Sequence, residues 1–577
     1  MVSLVAGLFF LASLCGCAGD SPGDDDDTSS DDDDDSATSD DDTANDDDPF
    51  PDDDFGDDDT DDDAPGGEFD VMVEVRDGKK LWTKLYLPDP IPEGGVPTLV
   101  MRTPYRTGSE GPLDEALARH FANRGYAFLL QDVRGRGESE GAFVSYINEY
   151  DDGFDTIEWL TAQSYSNGDV GTIGGSYVAF TALAAAVDNP RVQVVIAEEV
   201  PAGESGPNRQ NGVVSKGLLD WLYILANGDW MPWDDIVETT NTLDVAGADL
   251  AIVGAESTEW ERFVGAPNPE DPVWSERVFG ADLAAGICAP VLTVYSKEFH
   301  WMDPIIVWHL LRENGCEEFE PDQRIFITPD AHGAHTYTIP VTETPVNALM
   351  VDYIDKFLGG EDIELAPIDR VQYRAPSDFF YRSADEWPPT TNERTYYFDN
   401  ADGAGVLHEG SPLSDAALDV TVDPAVDDPC DNAYPTLVYQ TEPLASDLYI
   451  AGSIDAELFI SSNRVDTDVF VDFMEYPALG DPIYITGGHV RARYRSGLDA
   501  PLTPAQIVRI PFETHAVAYR VKSGSRLAAE VRPAHCGFFE NPHTGEDLDA
   551  QTHWETGTLT LHHEAAALSK FTVPFVP

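Results

Sequence analysis

The stretch Asp169-Val-Gly-Thr-Ile-Gly-Gly-Ser-Tyr-Val-Ala-Phe-Thr-Ala-Leu-Ala-Ala-Ala186 decides how this chain is read. A short apolar run enters Gly174-Gly175-Ser176-Tyr177, and an alanine-rich helical pattern leaves it. Strand, sharp turn and helix in that order put Ser176 at the tip of a nucleophile elbow, where strained backbone angles demand small neighbours. The N-terminus of the following helix aims backbone N–H groups at the same point and favours negative charge there. Ser176 is therefore expected to be a nucleophile, given a base and an acid elsewhere.

Outward from the elbow, apolar strands and helical stretches alternate. Residues 98–101, 126–131, 170–173 and 192–197 read as buried strands, with helices at 113–123, 150–162 and 177–186 between them. A hairpin precedes them, its strands at 69–75 and 81–87 joined through Asp77-Gly78. The alternation predicts a parallel α/β sheet. Regularity lapses over 201–285, which reads as a helical cap inserted over the sheet. The sheet resumes at 290–295, passes a helix near 305–312, returns at 324–328 and closes with a helix at 346–358. From 366 to 577 short alternating runs take over, at 447–460, 468–474, 489–494 and 558–562. Such a texture predicts a β-sandwich or jelly roll. The expected organisation is a core at 67–200 and 286–365, the cap at 201–285, and an all-β domain at 366–577.

The ends and the charge add a second layer. Residues 4–14 have the length of a secretory h-region and are too short to span a bilayer. They end in Leu14-Cys15-Gly16-Cys17, which resembles a bacterial lipobox, so residues 1–17 are expected to be a lipoprotein signal with Cys17 lipidated. The n-region carries no Lys or Arg. Between Asp20 and Asp63 stand 25 aspartates and no basic residue, a self-repelling block that cannot bury a core; residues 18–66 read as an extended tether. Setting those 25 aside takes the formal charge from −74 to −49, with eight lysines in the whole chain. A surface so acidic repels phosphates and excludes nucleic acid as a partner; it fits a secreted protein, or one adapted to salt. The localisation expected is the cell envelope, with membrane contact through the lipid anchor alone. Of the remaining cysteines, Cys288, Cys316, Cys430 and Cys536, the distribution suggests Cys288–Cys316 and Cys430–Cys536, each within one domain.

A serine hydroxyl needs a base, and the base needs an orienting acid. In an α/β-hydrolase the chain order is nucleophile, acid, histidine. After the strand at 324–328 comes Pro329-Asp-Ala-His332-Gly-Ala-His335, so His332 is the expected base and His335 the fallback. The acid should follow the strand at 290–295, in Ser296-Lys-Glu298-Phe-His-Trp-Met-Asp303. Glu298 lies closer to the strand end and is the first choice; Asp303, of the commoner residue type, is the second.

Further ordered marks carry a resemblance. They are Met101-Arg-Thr-Pro-Tyr105, Gln131-Asp-Val-Arg-Gly-Arg-Gly-Glu-Ser-Glu-Gly141, Tyr150-Asp-Asp-Gly-Phe-Asp-Thr-Ile-Glu-Trp-Leu160 and Gly174-Gly-Ser-Tyr177. Asp385-Glu-Trp-Pro-Pro389, Asp466-Thr-Asp-Val-Phe-Val471 and Phe538-Phe-Glu-Asn-Pro-His-Thr-Gly-Glu546 complete the set. Together they resemble the serine hydrolases that include X-Pro dipeptidyl-peptidases, cocaine esterase, α-amino acid ester hydrolases and glutaryl-cephalosporin acylases. The resemblance implies an oxyanion hole made of the Tyr177 backbone N–H and the Tyr105 phenol. It implies an acyl-enzyme, no metal or organic cofactor, and an ester, short-peptide or β-lactam-type amide substrate. Three departures are visible: Val178-Ala179 where a glycine is usual, Tyr295-Ser-Lys-Glu298 in place of a Gly-Trp-x-Asp pattern, and Pro329-Asp330 in place of Pro-Trp.

Asp132, Arg134 and Arg136 read as a loop-pinning set rather than a catalytic one. Trp221, Trp230 and Trp233 of the cap fit an apolar acyl pocket or cap core. A substrate's α-amino group would need buried carboxylates; Glu198, Glu199, Glu204, Asp220 and Asp229 stand in and around the cap, but so acidic a chain supplies such residues by chance. The expectation is a carboxylic ester hydrolase. An aminopeptidase comes second, and a non-catalytic surface module with a glycan-binding jelly roll is the distant rival.

Overall fold

Ten strands pair into one sheet in a computed structural model of the chain. It describes residues 67–577 except 106–111, 204–208, 229–231, 241–246, 255–256, 267–273, 275–277, 297–302, 341–343, 364, 366–368, 402, 411–416 and 547–552. In chain order the strands are β1 (Gly67–Glu74), β2 (Lys80–Leu87), β3 (Val96–Thr103), β4 (Ala127–Asp132) and β5 (Ser166–Gly175). Then follow β6 (Val192–Glu198), β7 (Val291–Ser296), β8 (Arg324–Thr328), β9 (Val371–Tyr373) and β10 (Arg382–Ala384). Their spatial order is β1-β2-β4-β3-β5-β6-β7-β8-β9-β10. Strands β3 to β9 are mutually parallel, while β1, β2 and β10 are antiparallel additions at the two margins. This is the α/β-hydrolase order of crossovers around a central nucleophile strand.

The central strands are buried along almost their whole length, as both faces are covered by helices. The helices are α1 (Pro112–Asn123), α2 (Glu149–Thr161) and α3 (Tyr177–Ala186), then α4 (Gly217–Asn227), α5 (Trp233–Thr240), α6 (Ala248–Ile252) and α7 (Thr258–Gly265). After these come α8 (Ala281–Ala284), α9 (Asp303–Asn314) and α10 (Pro345–Phe357). Every residue of α3 is buried, which explains its sequence. A helix closed in on all sides needs no polar stripe, and alanines let it lie close to β3, β5 and β6. Helix α10 starts at Thr344, whose side chain accepts the Asn347 N–H, with Pro345 in the first turn.

Helices α4 to α7 form the cap. Leu218, Leu219, Leu222, Trp260, Phe263 and Trp274 make its apolar centre, and Phe539 of the C-terminal domain joins them. The cap is tied to that domain by Lys216 N–H to Gly537 O at 2.9 Å and Phe539 N–H to Val214 O at 2.9 Å.

Strands β9 and β10 correct the domain boundary. The sequence reading gave 366–577 to the all-β domain, yet residues 371–384 extend the core sheet, with Ile325, Phe326 and Ile327 of β8 opposite Val371, Gln372 and Tyr373. Three-residue strands carry too little alternation to declare which sheet they join. Among the described residues the jelly roll proper holds thirteen strands, from Asn392–Ala401 to Lys570–Val576, around a core that includes Phe398, Tyr439, Ile450, Leu458, Val471 and Phe571. Two expected runs are subdivided. Residues 447–460 break at Gly452, whose φ of 124° suits glycine, into Leu448–Gly452 and Asp455–Ser462. Residues 489–494 end as a single 3₁₀ turn, Ala492–Tyr494, after the strand Ile483–Arg491. Asp468 holds Arg491 with two bonds of 2.8 and 2.9 Å and takes the Asn541 amide at 2.8 Å, so these family marks form a buried structural network. Both suggested disulfides are present, with Cα–Cα distances of 5.0 Å for Cys288–Cys316 and 4.6 Å for Cys430–Cys536.

Candidate active site

Ser176 leaves the end of β5 with φ 57° and ψ −128°, and α3 begins at the next residue. A non-glycine residue at such angles stores strain that the surroundings must hold in place. The neighbours show why they are glycines. A Cβ on Gly174 would lie 2.4 Å from Val178 O, and one on Gly175 would lie 3.1 Å from the Tyr337 ring. The Ser176 carbonyl accepts the Ala179 and Phe180 N–H groups at 2.9 and 3.2 Å, the first helical turn. Ala179, standing where the family favours glycine, is fully buried in the apolar cluster behind the elbow.

The next strand supplies the groups that face the histidine loop. Gly175 pairs with Glu198 across β5 and β6, and Ser176 N–H donates to Glu198 O at 2.9 Å. The Glu198 carboxylate then accepts the backbone N–H groups of His335 (3.0 Å) and Thr336 (2.7 Å). Glu199, at φ 53°, turns out of the strand. Its Oε2 accepts the Gly333 N–H at 3.1 Å and lies against Nδ1 of His332. That contact puts the ring proton on Nδ1 and the lone pair on Nε2. Burial pushes the His332 imidazole below its ordinary value, so it is neutral at neutral pH, as a general base must be.

His335, the fallback base, turns inward. It is buried, its Nδ1 meets Asn347 Oδ1 at 3.2 Å, and its Nε2 lies 3.5 Å from Asp330. It supports the loop that presents His332.

Among the described residues, the carboxylate that meets the imidazole is Glu199. Glu298 lies outside the described residues. Asp303 is the first residue of α9, buried, and its Oδ2 accepts the Ala202 N–H at 3.0 Å, where the chain enters the cap. Burial pushes its carboxyl up to about 7. The carboxylate at the imidazole is Glu199, which the sequence reading weighed only as an amine-binding group. The available signal was the pair Glu198-Glu199 directly after an apolar strand, where one buried carboxylate demands a partner.

Tyr105 follows the end of β3, its N–H donating to Thr103 Oγ1 at 3.1 Å, and its phenol oxygen accepts Trp221 Nε1–H of α4 at 3.2 Å. Trp221 is half-buried between cap and core; Trp230 and the Trp233 side chain lie outside the described residues. Tyr177 is buried and turned from the elbow. Its hydroxyl donates to Glu149 Oε1 at 2.9 Å and accepts the Tyr146 N–H at 3.0 Å, so only its backbone faces the site.

The Asp132–Arg136 segment pins loops. Arg134 clasps Asp152 with bonds of 2.9 and 2.6 Å. Asp132 takes the Glu138 N–H at 3.3 Å, and a Cβ on Gly137 would strike its carboxylate. Of the other cap acids, Asp220 is buried in α4, and Glu204 and Asp229 lie outside the described residues.

A strained serine, a half-buried histidine and a carboxylate thus stand at the ends of neighbouring strands. The model of the X-Pro dipeptidyl-peptidase (S15 family) matches residues 77–334, and that of the X-Pro dipeptidyl-peptidase C-terminal non-catalytic domain matches 359–570. Cocaine esterase of Rhodococcus sp. (strain MB1 Bresler) is 27% identical over 552 residues, 82% of this chain and 92% of that one. Two solved structures share the fold at a TM-score of 0.76 over 92% of this chain. One is an aminopeptidase of a marine sediment Thaumarchaeota archaeon (21% identity, 99% of its chain covered), the other an α-amino acid ester hydrolase (20% identity, 100% covered). A CocE/NonD family hydrolase from Staphylococcus aureus follows at 0.68, with 16% identity over 88% of this chain and 93% of its own. With both of the family's domains matched in order, the chain belongs to the X-Pro dipeptidyl-peptidase and cocaine esterase family of serine hydrolases.

Proposed function

We propose that the chain cleaves carboxylic esters through an acyl-enzyme, with Ser176 as nucleophile, His332 as base and Glu199 as the acid that orients it. His332 Nε2 takes the hydroxyl proton as Ser176 attacks the ester carbonyl. The Tyr177 N–H and Tyr105 O–H receive the oxyanion, and the imidazolium returns the proton to the leaving alcohol. Water, activated by the same histidine, releases the acid. The observation that carries this reading is the Glu199 contact on His332 Nδ1, one residue beyond the partner of the elbow strand.

Esters rank ahead of peptides because the two carboxylates that end β6 already serve the histidine loop. Glu198 holds the His335 and Thr336 amides, and Glu199 Oε2 holds the Gly333 amide and meets His332. The family match keeps X-Pro peptide or amide hydrolysis as the second reading. Steady-state hydrolysis of a short p-nitrophenyl ester and an Ala-Pro anilide decides between them, with Ser176→Ala as control. Activity on the ester that disappears in the variant supports the proposal. Faster turnover of the anilide makes it a peptidase, and silence on both, with no fluorophosphonate labelling, leaves a binding module.

The lipobox resemblance at Leu14-Cys15-Gly16-Cys17 supports a lipid anchor on Cys17 and a place in the cell envelope, with the aspartate-rich segment as spacer. Partitioning into detergent that Cys17→Ser abolishes is the expected result; unchanged partitioning refutes it.

A further inference from the structure

Cap helix α4 reaches Tyr105 by two independent routes. The indole of Trp221 donates to the phenol oxygen at 3.2 Å. One full turn later the Leu225 carbonyl, near the end of the helix, accepts Arg136 Nη2. The same guanidinium donates from Nε to Pro104 O at 2.7 Å, so it grips the residue directly before Tyr105. Arg136 also lies over the Phe143 ring, 5.7 Å from its centroid. Phe143 in turn packs on Trp221 (6.4 Å) and on Tyr177 (6.0 Å). Trp221 and Tyr177 themselves lie 5.8 Å apart with their planes 31° from parallel. Trp221 thus stands between the two residues whose donors would face the oxyanion. Tyr177 is fixed from behind through Glu149 and Tyr146.

A phenol that accepts an N–H at its oxygen is held in rotation, and its own proton is left to point elsewhere. The accepted bond also polarises the O–H and makes it a stronger donor. We propose that Trp221 is a positioning residue for the Tyr105 phenol, and that Arg136 fixes the backbone beneath it. The oxyanion hole is then complete only when α4 is seated on the core. This rests on the reading of Tyr105 as an oxyanion donor. A tryptophan that served as packing alone would affect stability and substrate fit without depending on the phenol.

The test is a double-mutant cycle on the full chain with a p-nitrophenyl ester, in which Trp221→Phe keeps the ring contacts and removes the N–H. Active sites are counted by fluorophosphonate titration, so that unfolded protein does not enter kcat. Tyr105→Phe is expected to lower kcat about 10²- to 10³-fold, as for removal of one oxyanion donor. Trp221→Phe should lower kcat about three- to tenfold with KM little changed, the size of one lost hydrogen bond. In the Tyr105→Phe background Trp221→Phe should then have no further effect, since its target is gone. If Tyr105→Phe leaves kcat unchanged, the oxyanion reading fails and the proposal with it. If Tyr105→Phe is damaging but Trp221→Phe is silent, or the two losses multiply, the positioning role alone is overturned. Arg136→Met run through the same cycle decides the matter should Trp221→Phe not fold: its kcat loss vanishes with Tyr105→Phe if the proposal holds and persists if it does not.

Discussion

Strands β5 and β6 run side by side, and each is followed by a non-glycine residue at positive φ, Ser176 at 57° and Glu199 at 53°. The two corners are held by different means. Around Ser176 most support is local, through two glycines that make room and a helix whose first turn closes on the serine carbonyl, with one bond from its N–H to Glu198 O of β6. Glu199 draws its support from far along the chain: its N–H donates to Val294 O of β7 at 2.7 Å, and its carboxylate meets Gly333 and His332 beyond β8. The serine's corner is therefore mainly a property of about ten consecutive residues, with one tie to the neighbouring strand. An acid's corner is a property of three strand ends, and it exists only once they are assembled.

The change that would break this comparison most severely is Glu199→Gln. Glutamine keeps an acceptor for the Gly333 N–H and removes the charge at His332 Nδ1. The expected fall in kcat is about 10³- to 10⁴-fold with the circular dichroism spectrum unchanged. A fall below tenfold would return the role of acid to the segment carrying Glu298.

The pH profile sharpens the same contrast. Because burial depresses the His332 pKa, the base protonates only below its ordinary 6.5, and kcat/KM is expected to fall as pH drops through a point under 6.5. Stopped assays across pH 4–9 check this, and an acid limb at or above 6.5 contradicts it.

The disulfides compare core with jelly roll. Cys430–Cys536 spans 106 residues and Cys288–Cys316 spans 28. Loop-closure entropy makes replacing the first by serines cost about 4.8 kcal/mol and the second about 3.6 kcal/mol, read from denaturant unfolding.

The smallest effect on catalysis is expected from Asp303→Asn, less than about threefold in kcat, since Asp303 binds the Ala202 amide rather than the base. Its signature lies in stability. A carboxyl whose folded pKa is raised to about 7 binds its proton more tightly folded than unfolded, so it withdraws stability as pH climbs from about 4 to about 7. Asp303→Asn should remove that component of the Tm-against-pH curve, and an unchanged curve would count against it.

Legibility in the sequence follows the same division. Helix α3 and strand β8 end where their patterns end, at Tyr177–Ala186 and Arg324–Thr328, because burial on all sides leaves an unbroken apolar run. The elbow was readable from glycines that a Cβ could not replace. Chain order points to His332, which lies against Glu199 in the loop after β8. For the acid, chain order points past β7 to Glu298, outside the described residues, while the described carboxylate touching the ring follows β6, 133 positions upstream. Trp221 and Arg136 were visible as an aromatic and a charge, yet their joint action on Tyr105 needs a cap helix whose docking no local pattern encodes. Strands β9 and β10 were too short to announce their sheet.

The bonds that Glu198 and Glu199 make to residues 332–336 also order events during synthesis. A nascent chain that has emerged only to about residue 300 already contains the elbow and both carboxylates, with no loop for them to hold. Domains fold largely as units as they are made, so the serine has no base beside it until the loop after β8 has been made. The half-made enzyme carries the serine and nothing to activate it.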